Sequence, residues 1–440
     1  MALRDHFEQD SEPTQEHRSD GSGRMRRRHA PWAALGLIVC LQACSGEVPD
    51  GADAGGAGPA PGAGGGLTSG VGGLGSTGGA TGGSSSGGGS SSGGGSSGGS
   101  TGGGTSSGGG TSSGGSGGTE GGGSGGTGGG GSVQPGVVGA PVGFATLNGG
   151  TKGGAGGTVV TVSNYADLKK YAESSTTYVI LVDGTISNGS GGGQIRVASN
   201  KSIVGLGDDA FLSGVGITIA NSHDVILQNL RATLVGTSTP SSVNGGDIVT
   251  ISGTSKNVWI DHCEFFSEDP AQQTNIDKYD GLIDIRDQTG FITISWSYLH
   301  DHHKGCLVGA ADSDVYADRK ITYHHNWFQD VRLRVPMYRG SVGHFFNNYV
   351  VGAKDASEIR TGSCVRVERN YYEPLHYSIY TPSDSKGKTE RISNVEVERT
   401  ARAYPEACTA NLGYEYAAAL TSSTNDVKSV VPAGAGVGKL

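Results

Sequence analysis

Outside its N-terminal segment this chain has no basic run, and its formal net charge is −9. Nucleic-acid binders concentrate Lys and Arg on one face or helix, so no nucleic-acid partner is expected. An acidic protein also repels polyanions at long range unless basic groups and a cation are gathered locally. No apolar run approaches the ~20 residues of a spanning helix, and no Cys/His spacing suits zinc. What the chain has in excess is glycine. With 82 glycines among 440 residues, a large part of it cannot belong to a packed core.

Residues 1–23 are polar, mixed in charge and without apolar period. From Met25 the sequence MRRRHAPWAALGLIVCLQAC has a basic start, a short apolar stretch and a small residue before Cys44, the layout of an export signal. Leu41-Gln42-Ala43-Cys44 resembles a bacterial lipobox, which makes Cys44 the expected site of lipidation; ordinary secretion with cleavage nearby is the other reading. Such a clean start also allows Met25 to be the true initiator. Ser45 is compatible with outer-membrane sorting, so the expected location is the bacterial cell surface, reached by secretion and held by a lipid anchor. Gly51 to Ser132 is almost wholly Gly, Ser, Thr and Ala, with Asp53 and Glu120 its only charges. Nothing there offsets the entropy cost of ordering, so residues 45–136 read as a flexible tether. Its r.m.s. reach is about 50 Å. The domain proper is expected over 137–440.

One stretch of that domain reads as a convincing helix, Ser163 to Ser175, with Ser163 as cap and Tyr165, Leu168, Tyr171 and Ala172 on one face. Beyond it, β-branched runs recur: SIVGLG, VILQNL, VWIDHCEF, ITISWSYL, ITYHHNWF, GHFFNNYV and VRVERNYY. Each ends in a polar residue followed by an apolar one. The polar positions are Gly207, Asn229, Cys263, Ser297, Asn326, Asn348 and Asn370, separated by 22, 34, 34, 29, 22 and 22 residues. A repeat of about 20–30 residues carrying strands signals a solenoid. The leucine-rich L-x-x-L-x-L core is absent. The expected fold is therefore all-β, a right-handed parallel β-helix with the Ser163 helix capping its N-terminal end. Asparagine suits the sharp turn because it tolerates left-handed backbone and can both donate to and accept from its equivalents on neighbouring coils. The coils of 34 and 29 residues carry extra loops, where chemistry is expected. Cys263, Cys306, Cys364 and Cys408 allow three disulfide pairings that spacing does not choose between.

Those long coils hold the charged candidates. Asp247 stands in NGGDIVTI, and Asp280 and Asp284 frame DGLID. Clustered oxygens of this kind suit Ca²⁺, which takes 6–8 oxygen ligands. On an extended strand, residues four apart stand about 13 Å apart, too far for one ion. Either Gly281 bends the chain or more than one cation is bound. Lys304 follows HDHH, Arg334 lies in RLRVP and Arg339 in YRG, the two arginines expected to point from one ledge. His262, His302, His303, His324 and His325 recur at strand ends and read as scaffold, as does Asp261. Trp259, Trp296, Trp327 and Phe328 read as core or stacking residues.

Taken in order, WIDHCEF, DGLIDIRD, HDHHKG, ITYHHNWF, RLRVP-MYRG and GHFFNNYV resemble the pectate lyases of polysaccharide lyase family one, over roughly Val137 to Leu440. The resemblance implies a parallel β-helix that cleaves polygalacturonate by β-elimination with Ca²⁺. Asp247, Asp280 and Asp284 correspond to its calcium ligands, Arg334 to its proton-abstracting base, and Lys304 and Arg339 to binders of substrate carboxylates. The family often has a further acid at the position of Gly245; here that ligand is missing. Arginine as base departs from the rule that guanidinium stays protonated, and Lys304 is the alternative, since lysine gives up its proton more readily. Two other readings are a pectin lyase acting on methylated chains and a non-catalytic polysaccharide-binding β-helix. The retained acids argue against the first, and the combination of Lys304, Arg334 and Arg339 against the second. A monomer is expected.

Overall fold

The computed structural model describes residues 136–397 and 404–440, so the export segment, Cys44 and the Gly/Ser tract lie outside the described residues. Every strand pairing in it is parallel. One ladder of eleven strands begins at Thr158–Val162 and ends at Glu406–Ala407. Two further ladders share the long strand Tyr298–Val308, which pairs first with Glu264–Phe266 and then with Gly281–Ile285. Each coil thus contributes a strand to each of three stacked faces, which makes the chain a parallel β-helix.

The alternation of the runs explains the interior. In Lys256–Asp261, Val258 and Ile260 point into one continuous core that also takes Val225, Leu227, Ile292 and Ile294 from the adjoining coils. The outer face of that ladder is buried too, because the segment from Val137 to Leu147 crosses it. Phe144 and Ala145 donate their backbone N–H groups to Thr322 and Thr293 at 3.1 Å. Burial on both faces is the usual condition of parallel strands and accounts for their near-continuous apolar character.

The helix spans Tyr165–Glu173. Its cap is Asn164 rather than Ser163: the Asn164 side chain accepts from the Asp167 N–H at 3.0 Å, the bond a cap must make to an orphan donor three residues on. Leu168 and Ala172 enter the core, and Tyr165 and Tyr171 pack against its edge. Cys364 and Cys408 form the disulfide, and Cys263 and Cys306 are buried free thiols.

The polar ladder is present, with a corrected register. Asn326, Asn348, Asn370 and Asn394 bond successively through their side chains at 3.0 Å, extending the expected series by one coil. Ser297 donates its N–H to Asn326 and Cys263 donates to Ser297. Asn229 is not a member: Arg231 pairs with Glu264, so Leu230 is the residue equivalent to Cys263. Nor do the ladder residues take the left-handed backbone. The residues before them do: His262, Trp296, His325, Asn347, Arg369 and Ser393 have φ between 46° and 54°. The ladder asparagines serve as hydrogen-bonding centres only. Asn348 accepts from Asn326 and donates to Asn370 and the carbonyls of Tyr323 and Phe346. Replacing it with alanine leaves several buried groups unpaired and should lower stability by about 3 kcal/mol or more, which urea unfolding measures.

Candidate active site

Four consecutive coils build the site around the strand Gly281–Ile285. Asp247 lies between a short turn of 3₁₀ helix, Asn244–Gly246, and the strand Val249–Ser252. Asp280 immediately precedes the next coil's strand, and Asp284 lies inside it, paired in register with Thr250. Lys304 pairs with Gly281 from the coil beyond, and Leu333, just before Arg334, pairs with Lys304.

The three carboxylates converge. One oxygen from each of Asp247, Asp280 and Asp284 lies within 4.8 Å of the others. The extended-strand estimate fails because Asp280 sits outside the strand and the alternation breaks beside it. Leu282 and Ile283, though consecutive, both belong to the core. Gly281 is the pivot. A Cβ there would come within 2.1 Å of Asp284 Oδ1 and 3.2 Å of Asp247 Oδ1. Its N–H donates to Asp247 Oδ1 at 2.8 Å. Gly281→Ala should therefore abolish divalent-cation binding and, as an overpacked core position, cost about 1–3 kcal/mol; calorimetric titration and thermal melting read the two effects.

Asp247 and Asp284 are each 2 % exposed. Thr250 Oγ1 donates to Asp247 at 2.8 Å. Asp284 Oδ1 has no protein partner. Burial first, then the Asp247 charge, pushes the Asp284 carboxyl well above the ordinary range; burial also raises Asp247, and its hydrogen bonds from Thr250 and Gly281 oppose that rise. A buried, incompletely bonded carboxylate beside two others is a donor set that fits a hard divalent cation. These three residues would hold one, and Gly245 offers no fourth carboxylate.

The cations meet this triad from one side. Lys304 Nζ stands 3.6 Å from Asp280 Oδ1 and also pairs with Asp277. Arg334 Nη1 stands 4.0 Å from the same Asp280 oxygen. Arg334 has φ 62°, a left-handed conformation that disfavours side chains with a Cβ and is found where the surroundings over-determine it. Arg339 does not share its ledge. Its guanidinium turns to Asp312 Oδ1 at 3.0 Å and to the Gly309 carbonyl at 3.4 Å. Burial, and then the charge of Arg360 on the same aspartate, pull Arg339 below its ordinary value.

Several residues of the site carried no separate expectation. His302, read as scaffold, has a defined task. Its Nε2–H donates to the Asp280 carbonyl at 2.7 Å and its Nδ1 accepts from Ser267 Oγ at 2.6 Å. Burial pushes it down to about 4, so it stays neutral and fixes the turn that presents Asp280. Asp261 accepts from Gln228, His262 and Ser295, and belongs to the scaffold as expected. Trp296 is on a left-handed turn, not a strand, and stacks on His325 at 4.3 Å. Asp277, Asp312 and Arg286 were not anticipated. Arg286 was findable, because it lies two residues beyond Asp284 and so on the same side of the strand.

A parallel β-helix carrying an acid triad faced by lysine and arginine defines a class of enzymes acting on acidic polysaccharides. The model of the pectate lyase family matches residues 132–440. A pectate trisaccharide-lyase of Bacillus licheniformis is 37 % identical over 307 residues, covering 68 % of this chain and 86 % of that protein. A pectate lyase of Emericella nidulans is 34 % identical over 302 residues, covering 67 % and 88 %. The structure of a pectate lyase from a Bacillus species in complex with trigalacturonate superposes with a TM-score of 0.59 at 33 % identity, covering 68 % of this chain and 99 % of that one. The chain belongs to the pectate lyase family and is a polysaccharide lyase.

Proposed function

We propose that the chain cleaves polygalacturonate by calcium-dependent β-elimination, releasing 4,5-unsaturated oligogalacturonates. The observation that carries this reading is the meeting of three acids, Lys304 and Arg334 at one point, with Asp280 3.6 Å from the lysine and 4.0 Å from the arginine. Elimination removes the proton α to the uronate carboxylate and expels the oxygen on the neighbouring carbon, so negative charge builds up on that carboxylate. Calcium held by Asp247, Asp280 and Asp284 supplies fixed positive charge beside it.

The chain's own residues divide the remaining work. Lys304 binds a uronate carboxylate beside the triad, and Arg339, held by Asp312 away from it, binds another further along the polysaccharide, which together set the position of the sugar. Arg334 takes the proton, and the departing oxygen is protonated from solvent. As a base Arg334 must act in its neutral form, so the rate should rise toward alkaline pH. The fixed turn at Asp280, buttressed by His302, keeps the acids and the base in register.

Mass spectrometry of the products from polygalacturonate, with Ca²⁺ and then with excess chelator, tests the proposal. Unsaturated fragments, each one water lighter than a hydrolysis product, are expected with Ca²⁺ and none with chelator. Fragments of hydrolytic mass, or cleavage only of methylated pectin, would contradict it.

The N-terminal reading extends the proposal to location: exported, lipidated at Cys44 and tethered at the bacterial surface. The LQAC sequence and the Gly/Ser tract support it. Cys44→Ser should shift the protein from the membrane fraction to the medium; an unchanged distribution would rule out the anchor.

A further inference from the structure

Arg286 stands just past the end of the strand Gly281–Ile285, and its Nη2 lies 3.4 Å from Asp247 Oδ2. We infer that Arg286 is an internal counter-cation of the acid triad, which competes with the divalent cation for Asp247 and sets the affinity of the substrate-free site. This inference rests on the calcium reading proposed above.

Lys304 and Arg334 form their ion pairs in the triad with Asp280, its half-buried member. Among the described residues, Arg286 is the cation in ion-pair contact with the buried Asp247. The two partners differ in freedom. Asp247 is locked by the Gly281 N–H and the Thr250 hydroxyl. The Arg286 side chain is 37 % exposed, with its backbone N–H anchored on the Ile251 carbonyl at 3.0 Å. The guanidinium can therefore swing into solvent while the carboxylate stays in place. A divalent cation entering the triad meets a positive group already bonded to one of its ligands. It must displace that group, and it then feels the remaining repulsion. Two of the three acids thus already face cations before any ion binds, Asp247 facing Arg286 and Asp280 facing Lys304 and Arg334, which holds resting affinity below what the triad alone would give.

The test is calorimetric titration of the full-length protein with CaCl₂, without substrate, using wild type, Arg286→Gln and Arg286→Lys, each also melted in chelator and in Ca²⁺. Arg286→Gln should bind Ca²⁺ about tenfold more tightly, the order expected for removing one like charge at the rim of a site. Its chelated form should melt lower than wild type, and Ca²⁺ should close the gap. Arg286→Lys, which keeps the charge, should bind like wild type. Equal or weaker binding by Arg286→Gln, in a protein that melts cooperatively, overturns the inference while leaving the calcium site standing. Tighter binding by both variants alike would assign the effect to the guanidinium's shape and overturn the charge argument. Failure of all three proteins to take up Ca²⁺ would overturn the inference together with the reading on which it rests.

Discussion

Arg334→Ala should lower the rate of elimination on polygalacturonate by about 10³-fold, within the usual contribution of a positioned base. Calcium binding should tighten rather than weaken, because a positive charge beside the triad is removed, and the folded state should change little. The guanidinium makes its ion-pair contact with the triad at Asp280, at 4.0 Å, and its charge also reaches Asp284. The cation's other two ligands, Asp247 and Asp284, are set by Gly281 and Thr250 and not by Arg334. The backbone at 334 is left-handed, and alanine carries the same Cβ as arginine, so the substitution should neither relieve nor add strain there. Initial rates with Ca²⁺ at alkaline pH measure the effect. Retained activity in Arg334→Ala, with activity lost in Lys304→Ala, would transfer the role of base to the lysine.

Asp284→Asn should do two opposite things. It should remove the response to Ca²⁺ and cut activity by about 10²-fold or more, the scale of losing one preorganised electrostatic contributor. It should also stabilise the cation-free protein at neutral pH by about 1–3 kcal/mol. The sign follows from burial and the Asp247 charge, which push the Asp284 carboxyl well above its ordinary value. Because the folded state prefers the protonated form, the folded protein is penalised as pH rises from the ordinary carboxylate range toward that raised value. Below that range the acid is protonated whether folded or not, and the advantage of asparagine should vanish. Melting curves in chelator across this range give the slope. A variant less stable than wild type at neutral pH would show that the carboxylate is adequately compensated without a cation.

These effects are concentrated where the sequence pattern is least regular, and that bears on how legible the protein was. Period-two runs and the spacing of Asn326, Asn348 and Asn370 identify a stacked solenoid, because a β-helix repeats its hydrogen-bonding problem once per coil. The register of Asn229 was not legible. An asparagine at the left-handed turn and one on the ladder look alike in sequence, and only the pairing of Arg231 with Glu264 separates them. Asp247, Asp280, Asp284, Lys304 and Arg334 were identifiable as candidates by residue type and order. Their convergence was not, since it depends on the break in alternation at Leu282–Ile283 and on the space left by Gly281. Arg339 illustrates the reverse. Sequence placed it beside Arg334, five residues on, yet the turn between them aims it at Asp312 in another loop. His302 looked like any strand-end histidine, and its bond to the Asp280 carbonyl became visible only when two coils were stacked.

The central claim is that one site combines the cation-binding triad with the base. The most direct measurement follows the ultraviolet absorbance of the conjugated double bond as the full-length protein acts on polygalacturonate at alkaline pH, first with Ca²⁺ and then with excess chelator. The account predicts a steady rise that chelator stops and added Ca²⁺ restores, with Arg334→Ala flat throughout. A rise indifferent to chelator, or no rise while polygalacturonate binding persists, would contradict it.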